Sequence, residues 1–426
     1  MSRYYYGWNV IAYGALVQVF SIGIFFYGFG VLLIPWTKSF GVERGELAII
    51  PLALQIALIL LSPIGGYLVD RLPSRVSVLI GTSAMSAALF LTSIATTSGQ
   101  VVVIYATLVV VGQLFAGSLV AQTFAAKWFG RRRGLAFALT AAGGSFGGLL
   151  MPVIMQRLIE MGDWRFAHQC IAGFIALVVL PLGVVVRDAS AEATAGEVIK
   201  AADNVEAPRS LSTLQIITDR PFLVFTLGVG VLMAIQLTLQ YYLPVFGRDI
   251  GVNPGTSAAL LSVLAGASIC SKPGWGMVMD KSNPVIIFSI LSAIYCFSLG
   301  TILGLLGPTG LPQLLVAAVA GGVGAGAVQA LLGVILASRF GPANFGRALG
   351  LASPILSVCG AVGPLVAAVS YAQTHSYAAG LVVLLAVIVA TAAVVKKLAM
   401  GGPASRAGFR NVPATSSASL ASRGSK

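Results

Sequence analysis

Twelve apolar segments follow one another along this chain of 426 residues, each long enough to cross a lipid bilayer. A membrane-spanning helix needs roughly 20 apolar residues, and helices satisfy their own backbone hydrogen bonds in lipid. Only 9% of the residues are charged, against about 25% in soluble domains. The sequence therefore predicts an all-α integral membrane protein with twelve transmembrane helices. The predicted spans are 8–34, 46–69, 75–96, 101–126, 134–156, 165–186, 221–246, 255–279, 284–306, 313–337, 347–371 and 376–395.

The basic residues predict the orientation of these helices, because Lys and Arg concentrate in cytoplasmic loops. An even number of helices places both termini on one side. If that side is the cytoplasm, most of the 26 Lys and Arg lie inside and Lys272 lies within a span. We therefore expect cytoplasmic N- and C-termini in a multi-pass protein of the cell (inner) membrane. The net charge of +13 reflects this distribution and does not indicate a nucleic-acid partner. The basic residues expected outside are Lys38, Arg44, Arg157, Arg165 and Arg248.

A polar, Ala-rich segment divides the twelve spans into two groups of six. We predict an N-terminal half over residues 1–186, a cytoplasmic linker over 187–220 and a C-terminal half over 221–397. The remaining residues, 398–426, are rich in Ser, Ala, Gly and Arg without apolar periodicity. Such a composition is typical of disordered segments, so we expect a disordered cytoplasmic tail.

The two groups of six share an internal repeat. Three features of the first group recur in the second after 210 to 212 residues, and parallel repeats of this kind are known in transporters that bind substrate between their halves. The sequence thus favours a duplicated six-helix unit with a site near the middle of the membrane. The matching features are Gly66 and Asp70-Arg71 with Gly276 and Asp280-Lys281, Phe129-Gly130 with Phe340-Gly341, and Pro152 with Pro364.

The loop after the second span resembles the signature of the major facilitator superfamily, G-x-L-x-D-R-x-G-x-R. The matching residues are Gly66, Leu68, Asp70, Arg71 and Arg75. Pro73 replaces the family's second glycine. The resemblance implies the major facilitator fold, and it implies that Asp70, Arg71, Arg75 and the repeated Asp280 form a gate that interlocks the halves. The alternative is that these charges only fix the topology.

A second set of motifs is similar to the monocarboxylate and oxalate/formate branch of that superfamily. Members of this branch commonly place an Arg before the proline of the eighth helix to bind a carboxylate, so the resemblance implies that Lys272 holds the substrate anion. No second cation stands near Ser353, which disfavours dicarboxylates. Two positions that couple protons in animal carriers look like Val31 and Ser268 here, so that chemistry is not implied. The motifs are Tyr6-Gly7-Trp8, Phe129–Ala136, Gly162–Arg165 and Lys272-Pro273-x-x-Gly276.

Lys272 is also the one charged residue deep inside an apolar segment. A cation at this depth is costly unless it finds a partner or water, and it is a functional candidate by default. The alternative is snorkelling, in which the ammonium reaches the interface while its stem stays in lipid. Asp280 marks the end of the helix about 12 Å away at 1.5 Å per residue.

Neutral polar residues in the first, fourth, seventh and tenth spans are further candidates for the substrate site, because the corresponding helices line the cavity in the superfamily. Amides and phenols bond a carboxylate or hydroxyl without the cost of burying a charge. The alternative is hydrogen bonding between helices. These candidates are Tyr27, Tyr105, Gln113, Gln236, Gln240, Tyr241 and Gln329.

Together these features predict a secondary active or facilitated transporter of a small organic anion, most simply a monocarboxylate, by alternating access with symport or antiport. The alternative is a carrier of a larger neutral or aromatic solute such as a vitamin or drug. No paired acid and base, nucleophile with a base, or metal-ligand cluster is visible, so we expect neither an enzyme nor a cofactor. The expected partners are the substrate and the lipid bilayer, with the chain as a monomer.

Overall fold

The computed structural model describes residues 5–47, 49–130, 132–188, 211–305, 307 and 310–400. Within these residues it contains twelve long helices, which confirms the predicted all-α architecture. Eleven of the twelve are long and apolar enough to cross a membrane, and the other, helix 8, carries Lys272. Linker residues 189–210 and tail residues 401–426 lie outside the described residues. Helices 1 to 12 are Gly7–Tyr27, Ile49–Arg71, Ser74–Ile94, Ser98–Trp128, Arg133–Met161, Trp164–Val185, Arg220–Asp249, Pro254–Met279, Pro284–Ile302, Leu311–Phe340, Phe345–Thr374 and Ala378–Met400.

Several helices begin at a side chain that caps their free N–H groups. Thr97 and Gln100 form a reciprocal capping box at the start of helix 4. Asp163, Asp219 and Asn253 each accept a hydrogen bond from the first turn of helices 6, 7 and 8, respectively. Such caps satisfy N–H groups that have no partner within the helix. They explain why the predicted starts lie close to the observed ones.

Helix 1 differs from the single helix predicted over 8–34. Its α-helical part ends at Ile22, a π-helical turn follows over Gly23–Tyr27, and a further α-helix runs over Phe29–Phe40. The N–H of Gly28 closes the π turn by bonding to the Gly23 carbonyl at 2.9 Å. Gly23 packs directly on Gly147 of helix 5, where a side chain would collide with backbone. Because π turns in helices often occur at functional sites, the turn that carries Tyr27 is relevant to the candidate site.

The two groups of six helices meet along two seams, helix 2 against helix 11 and helix 5 against helix 8. Gly66 allows the first seam to close, because a Cβ there would overlap the Gly346 carbonyl oxygen. Phe137 of helix 5 and Phe345 of helix 11 stack between the seams with ring centroids 5.5 Å apart. We call this end of the molecule, marked by Phe137, Phe345, Asp70 and Asp280, the closed end.

The last part of the linker packs on the second group of helices. A short helix, Thr213–Ile217, follows a capping box made by Ser212 and Gln215. The N–H of Leu211 donates to the Asn344 side chain at 3.0 Å, and the Arg347 guanidinium donates to the Leu211 carbonyl. The chain therefore enters helix 7 from a fixed position beside the start of helix 11.

Candidate functional site

Lys272 lies on the face of helix 8 that meets helix 5. Its ammonium donates to the Ala141 carbonyl at 3.0 Å and to the Ser145 hydroxyl. Only 6% of the residue is exposed, so its charge is withdrawn from water and met by neutral oxygens. Snorkelling to the interface is therefore not the arrangement in this conformation, because the ammonium is directed across the seam between the halves.

Helix 10 fixes helix 8 in the orientation that directs Lys272 toward helix 5. The Trp275 indole N–H donates to the Val323 carbonyl at 2.8 Å, and the Ser271 hydroxyl donates to the same carbonyl at 3.3 Å. A Cβ on Gly326 would lie 3.5 Å from Cγ of Lys272, so the aliphatic stem packs against a glycine. These contacts hold the base of the side chain and leave the ammonium to the opposite half.

Tyr27 and Lys272 both contact helix 5, at residues that lie within one helical turn of each other. The Tyr27 ring packs on Gly148, three residues after Ser145. The ring is half exposed. Tyr27 belongs to the first group of helices and Tyr241 to the second, and both side chains are exposed.

The three glutamines predicted in the second half are also accessible. Gln236 and Gln240 on helix 7 and Gln329 on helix 10 are each partly exposed. Gln236 and Gln240 are four residues apart, so they lie on the same face of helix 7. These amides can bond a ligand without breaking the hydrogen bonds found for the described residues.

Two predicted site residues lie inside the first half instead. Gln113 is buried and bonds Ser21 twice, accepting from the hydroxyl at 2.7 Å and donating to the carbonyl at 2.8 Å. Tyr105 is fully buried against Phe25 and Trp36. In this conformation the two side chains support the packing of helices 1 and 4, so the structure does not bring them together with Lys272.

The predicted gate residues Asp70 and Asp280 each cap a helix of the opposite half. The Asp70 carboxylate accepts from the N–H groups of Gly346 and Arg347 at 2.8 and 2.7 Å. The Asp280 carboxylate accepts from Gly134 and Leu135 at 2.6 and 3.3 Å. A carboxylate at a helix start is stabilised by the free N–H groups and by the helix dipole. Each seam therefore contains the same interaction, in which an aspartate of one half caps a helix of the other.

The environment of Asp280 combines opposing electrostatic effects. Burial raises the pKa of its carboxyl above the usual range, because desolvation disfavours the charged form. The N–H groups of Gly134 and Leu135 and the charge of Arg132 act in the opposite direction. The closed contact thus places a partly desolvated carboxylate among groups that favour its charge.

Tyr67 contacts two arginines at the seam between helices 2 and 11. The Arg71 guanidinium lies 4.2 Å from the centroid of its ring, and that of Arg347 lies 4.8 Å away. Arginine over an aromatic face is attracted by the ring's quadrupole. Arg71 and Arg75 are both exposed. This part of the chain therefore contacts the other half through Asp70 and Tyr67, and Arg71 packs on Tyr67 within its own half.

Sequence reasoning missed Ser145, Tyr67 and the Phe137–Phe345 stack. Ser145 is the one hydroxyl residue between Gly143 and Gly148, and a polar residue within this glycine cluster could have marked it as a candidate. Among the described residues no group of three His, Cys, Asp or Glu side chains could hold a metal ion.

A comparison with known protein families agrees with this architecture of twelve helices in two repeated halves. Residues 15–304 match the family model described as Major Facilitator Superfamily. The chain belongs to this superfamily. It is therefore a multi-pass membrane transporter of small molecules and not an enzyme. The resemblance expected from the motifs, including that to the monocarboxylate branch, is confirmed.

Individual relatives support this assignment. The chain is 26% identical over 395 residues to monocarboxylate transporter 2 of Mesocricetus auratus, covering 87% of this chain and 80% of the relative. It is 24% identical over 305 residues to the agnestins efflux protein AgnL12 of Paecilomyces divaricatus, covering 70% of this chain and 66% of the relative. A solved structure of the proton:xylose symporter XylE has a TM-score of 0.67 at 18% identity, with 92% of this chain and 96% of that chain covered. This last similarity concerns the fold.

Proposed function

We propose that this transporter carries a small organic monoanion, a monocarboxylate, and that the ammonium of Lys272 binds the carboxylate. The observation that supports the proposal is the pairing of Lys272 in this conformation. The buried ammonium has two hydrogen-bond partners, the Ala141 carbonyl and the Ser145 hydroxyl, and both are neutral. A charge withdrawn from water needs an opposite charge for full compensation. A substrate carboxylate supplies that charge.

The internal repeat limits the charge of the substrate. Asp280 and Asp70 are equivalent in the two halves, so the residue of helix 2 that corresponds to Lys272 is Ser62, which also precedes a proline. Ser62 is buried at the other seam and carries no charge. Of the two equivalent positions, only that of Lys272 carries a positive charge. A single cation matches a single carboxylate, so the repeat favours a monoanion over a dicarboxylate as the substrate.

The remaining accessible candidates would bind the neutral part of the substrate. Phenol and amide groups that are at least partly exposed are available on Tyr27, Tyr241, Gln236, Gln240 and Gln329. Polar groups of this kind fix orientation in otherwise apolar binding sites. Tyr105 and Gln113 would act through the packing of the first half.

Alternating access would use the closed end as one of two gates. Asp70, Arg71, Arg75 and Asp280 would hold the halves of residues 1–186 and 221–397 together on the cytoplasmic side of the cell membrane, as the basic loops predict. The charge of Lys272 opposes closure around an empty site, and a bound carboxylate removes that penalty. Anion exchange, or symport with a proton that accompanies the substrate, satisfies this cycle for a monomer.

The test is uptake of labelled acetate, pyruvate, lactate and benzoate into proteoliposomes that contain the purified protein. Uptake of at least one of these monocarboxylates is expected. Lys272→Ala should abolish that uptake without loss of membrane-inserted protein, whereas Lys38→Ala, which removes an exposed cation, should retain it. Normal uptake by Lys272→Ala, or no uptake of any of the four by the wild-type protein, would contradict the proposal.

A second candidate function is transport of a larger neutral or aromatic solute. Tyr27 and Tyr241 are exposed aromatic side chains, and an efflux protein is among the relatives. In that case Lys272 would serve only to hold the halves together. Competition separates the two functions. If the protein carries monocarboxylates, unlabelled pyruvate should inhibit the uptake of a labelled monocarboxylate and riboflavin should not. If it carries large aromatic solutes, riboflavin should be the inhibitor.

A further inference from the structure

Lys272 retains hydrogen-bonding capacity toward a ligand in the observed conformation. An ammonium has three N–H donors, and the described residues supply two acceptors, the Ala141 carbonyl and the Ser145 hydroxyl. Both acceptors belong to helix 5. One N–H is therefore left for an acceptor that is not among the described residues.

Ser145 also retains a donor, because the direction of its bond to Lys272 is fixed. An ammonium has no acceptor, so the Ser145 oxygen must accept and its own O–H remains free. A helical serine often donates to the carbonyl four residues earlier, which here is that of Ala141. That carbonyl already receives the Lys272 ammonium at 3.0 Å, and no bond from the Ser145 hydroxyl to it is formed.

We propose that the free O–H of Ser145 and the free N–H of Lys272 form a two-donor clamp for the substrate carboxylate, one donor for each carboxylate oxygen. This inference rests on the function proposed above and adds Ser145 to its binding residues. The donor atoms are in direct hydrogen-bond contact, so they can address the two oxygens of one carboxylate together. An arginine would supply both donors from its own planar fork, whereas Lys272 requires a neighbour.

The clamp has one donor in each half of the protein. Ser145 belongs to helix 5 and Lys272 to helix 8, so a carboxylate held by both bridges the seam that Asp280 closes. An uncharged ester or amide has no anionic oxygen to accept from the two donors, so it should bind much more weakly. The clamp therefore links recognition of the carboxylate to contact between the halves.

A double-mutant cycle tests the clamp, with the fastest-transported monocarboxylate of the four-compound panel as the probe. Ser145→Ala should raise KM about tenfold, the size expected for losing a hydrogen bond to a charged group. Ser145→Thr, which keeps the hydroxyl, should stay within about threefold of wild type. In the Lys272→Arg background the same Ser145→Ala change should raise KM by less than about threefold, because the guanidinium supplies both donors.

Ser357→Ala is the matched control, because Ser357 is half-buried in helix 11 at the position 212 residues after Ser145. It should leave KM unchanged. Equal KM values for Ser145→Ala and wild type, or equal increases in the wild-type and Lys272→Arg backgrounds, would overturn the clamp. If the Lys272→Arg protein is inactive, the contrast between Ser145→Ala and Ser145→Thr decides alone. Unimpaired uptake by Lys272→Ala would instead reject the proposed function itself.

Discussion

Asp70 and Asp280 make the same contact in the two halves: each ends a helix of its own half and caps the first turn of a helix in the other. Asp70 receives the N–H groups of Gly346 and Arg347, and Asp280 receives those of Gly134 and Leu135. The repeated sequence thus becomes a repeated interaction. In both seams a carboxylate of one half lies at a helix start of the other.

Substituting either aspartate should slow transport without changing substrate preference. Asp70→Asn and Asp280→Asn keep the size of the side chain but lose the charge that strengthens its bonds to the helix start. We expect turnover to fall about tenfold, the effect of roughly 1.4 kcal/mol, with KM within about twofold. Initial rates in proteoliposomes measure both values. Asp249→Asn, an exposed residue at the far end of helix 7, is the control, and an altered order of preferred substrates would contradict a gating role.

Glycine is required where the seams are tightest. A Cβ at position 66 would overlap the Gly346 carbonyl oxygen, and one at position 276 would lie 2.7 Å from Cα of Leu135. Because backbone atoms cannot yield as a flexible side chain does, Gly66→Ala and Gly276→Ala should hold the closed end apart. By contrast, a Cβ on Gly274 meets nothing within 4 Å, so Gly274→Ala is the control on helix 8.

The opening can be measured at Leu349, which is buried one turn beyond Phe345. In a background without Cys170, Cys270, Cys296 and Cys359, a Leu349→Cys protein is exposed to a membrane-impermeant maleimide from the closed-end side. Labelling of Cys at position 349 should be severalfold faster when Gly66→Ala or Gly276→Ala is added. It should be unchanged when Gly274→Ala is added. Equal labelling in all three would show that the seams tolerate the added methyl group.

The ring of Tyr67 contributes to the closed end through Arg71 and Arg347. Tyr67→Leu removes both cation–π contacts, each worth roughly 0.5–1 kcal/mol at exposed sites, whereas Tyr67→Phe keeps the ring. We expect Tyr67→Leu to reduce turnover severalfold and Tyr67→Phe to remain near wild type in the same proteoliposome assay. A similar loss in both variants would assign the effect to the hydroxyl group instead.

The helices could be predicted, and Asp70 and Asp280 could be singled out, because their signals are local or repeated. Apolar length defines the spans, and Asp70 and Asp280 stand in matching sequence contexts. The partner of Lys272 could not be predicted, because Ser145 is 127 residues away in the chain and belongs to the other half. Contacts between distant helices depend on how the helices pack, and no local pattern encodes that packing.

The same limit explains the division among the glutamines. Gln113 and Gln236 are both isolated amides in apolar helices, and the sequence makes them equivalent candidates. Packing separates them, since Gln113 meets Ser21 inside the first half and Gln236 remains partly exposed. The sequence does not predict the π turn over Gly23–Tyr27 either, and Gly23 at its start packs on Gly147 of helix 5.

The same substitution, glutamine to leucine, should therefore affect stability at position 113 and substrate binding at position 236. Gln113→Leu removes two hydrogen bonds and leaves the buried Ser21 hydroxyl without its acceptor, so it should lower the free energy of unfolding by about 1–3 kcal/mol. KM should change little, because Gln113 is buried away from Lys272.

Gln236→Leu removes an amide that makes no bond to the described residues, so thermal stability should be retained while KM rises. Thermal unfolding of the purified proteins and KM in proteoliposomes give the two readouts for each variant. A stable Gln113→Leu protein with a raised KM would place Gln113 in the substrate site in another conformation of the cycle. An unchanged KM in Gln236→Leu would remove Gln236 from the proposed site and leave recognition to Lys272 and the remaining polar residues.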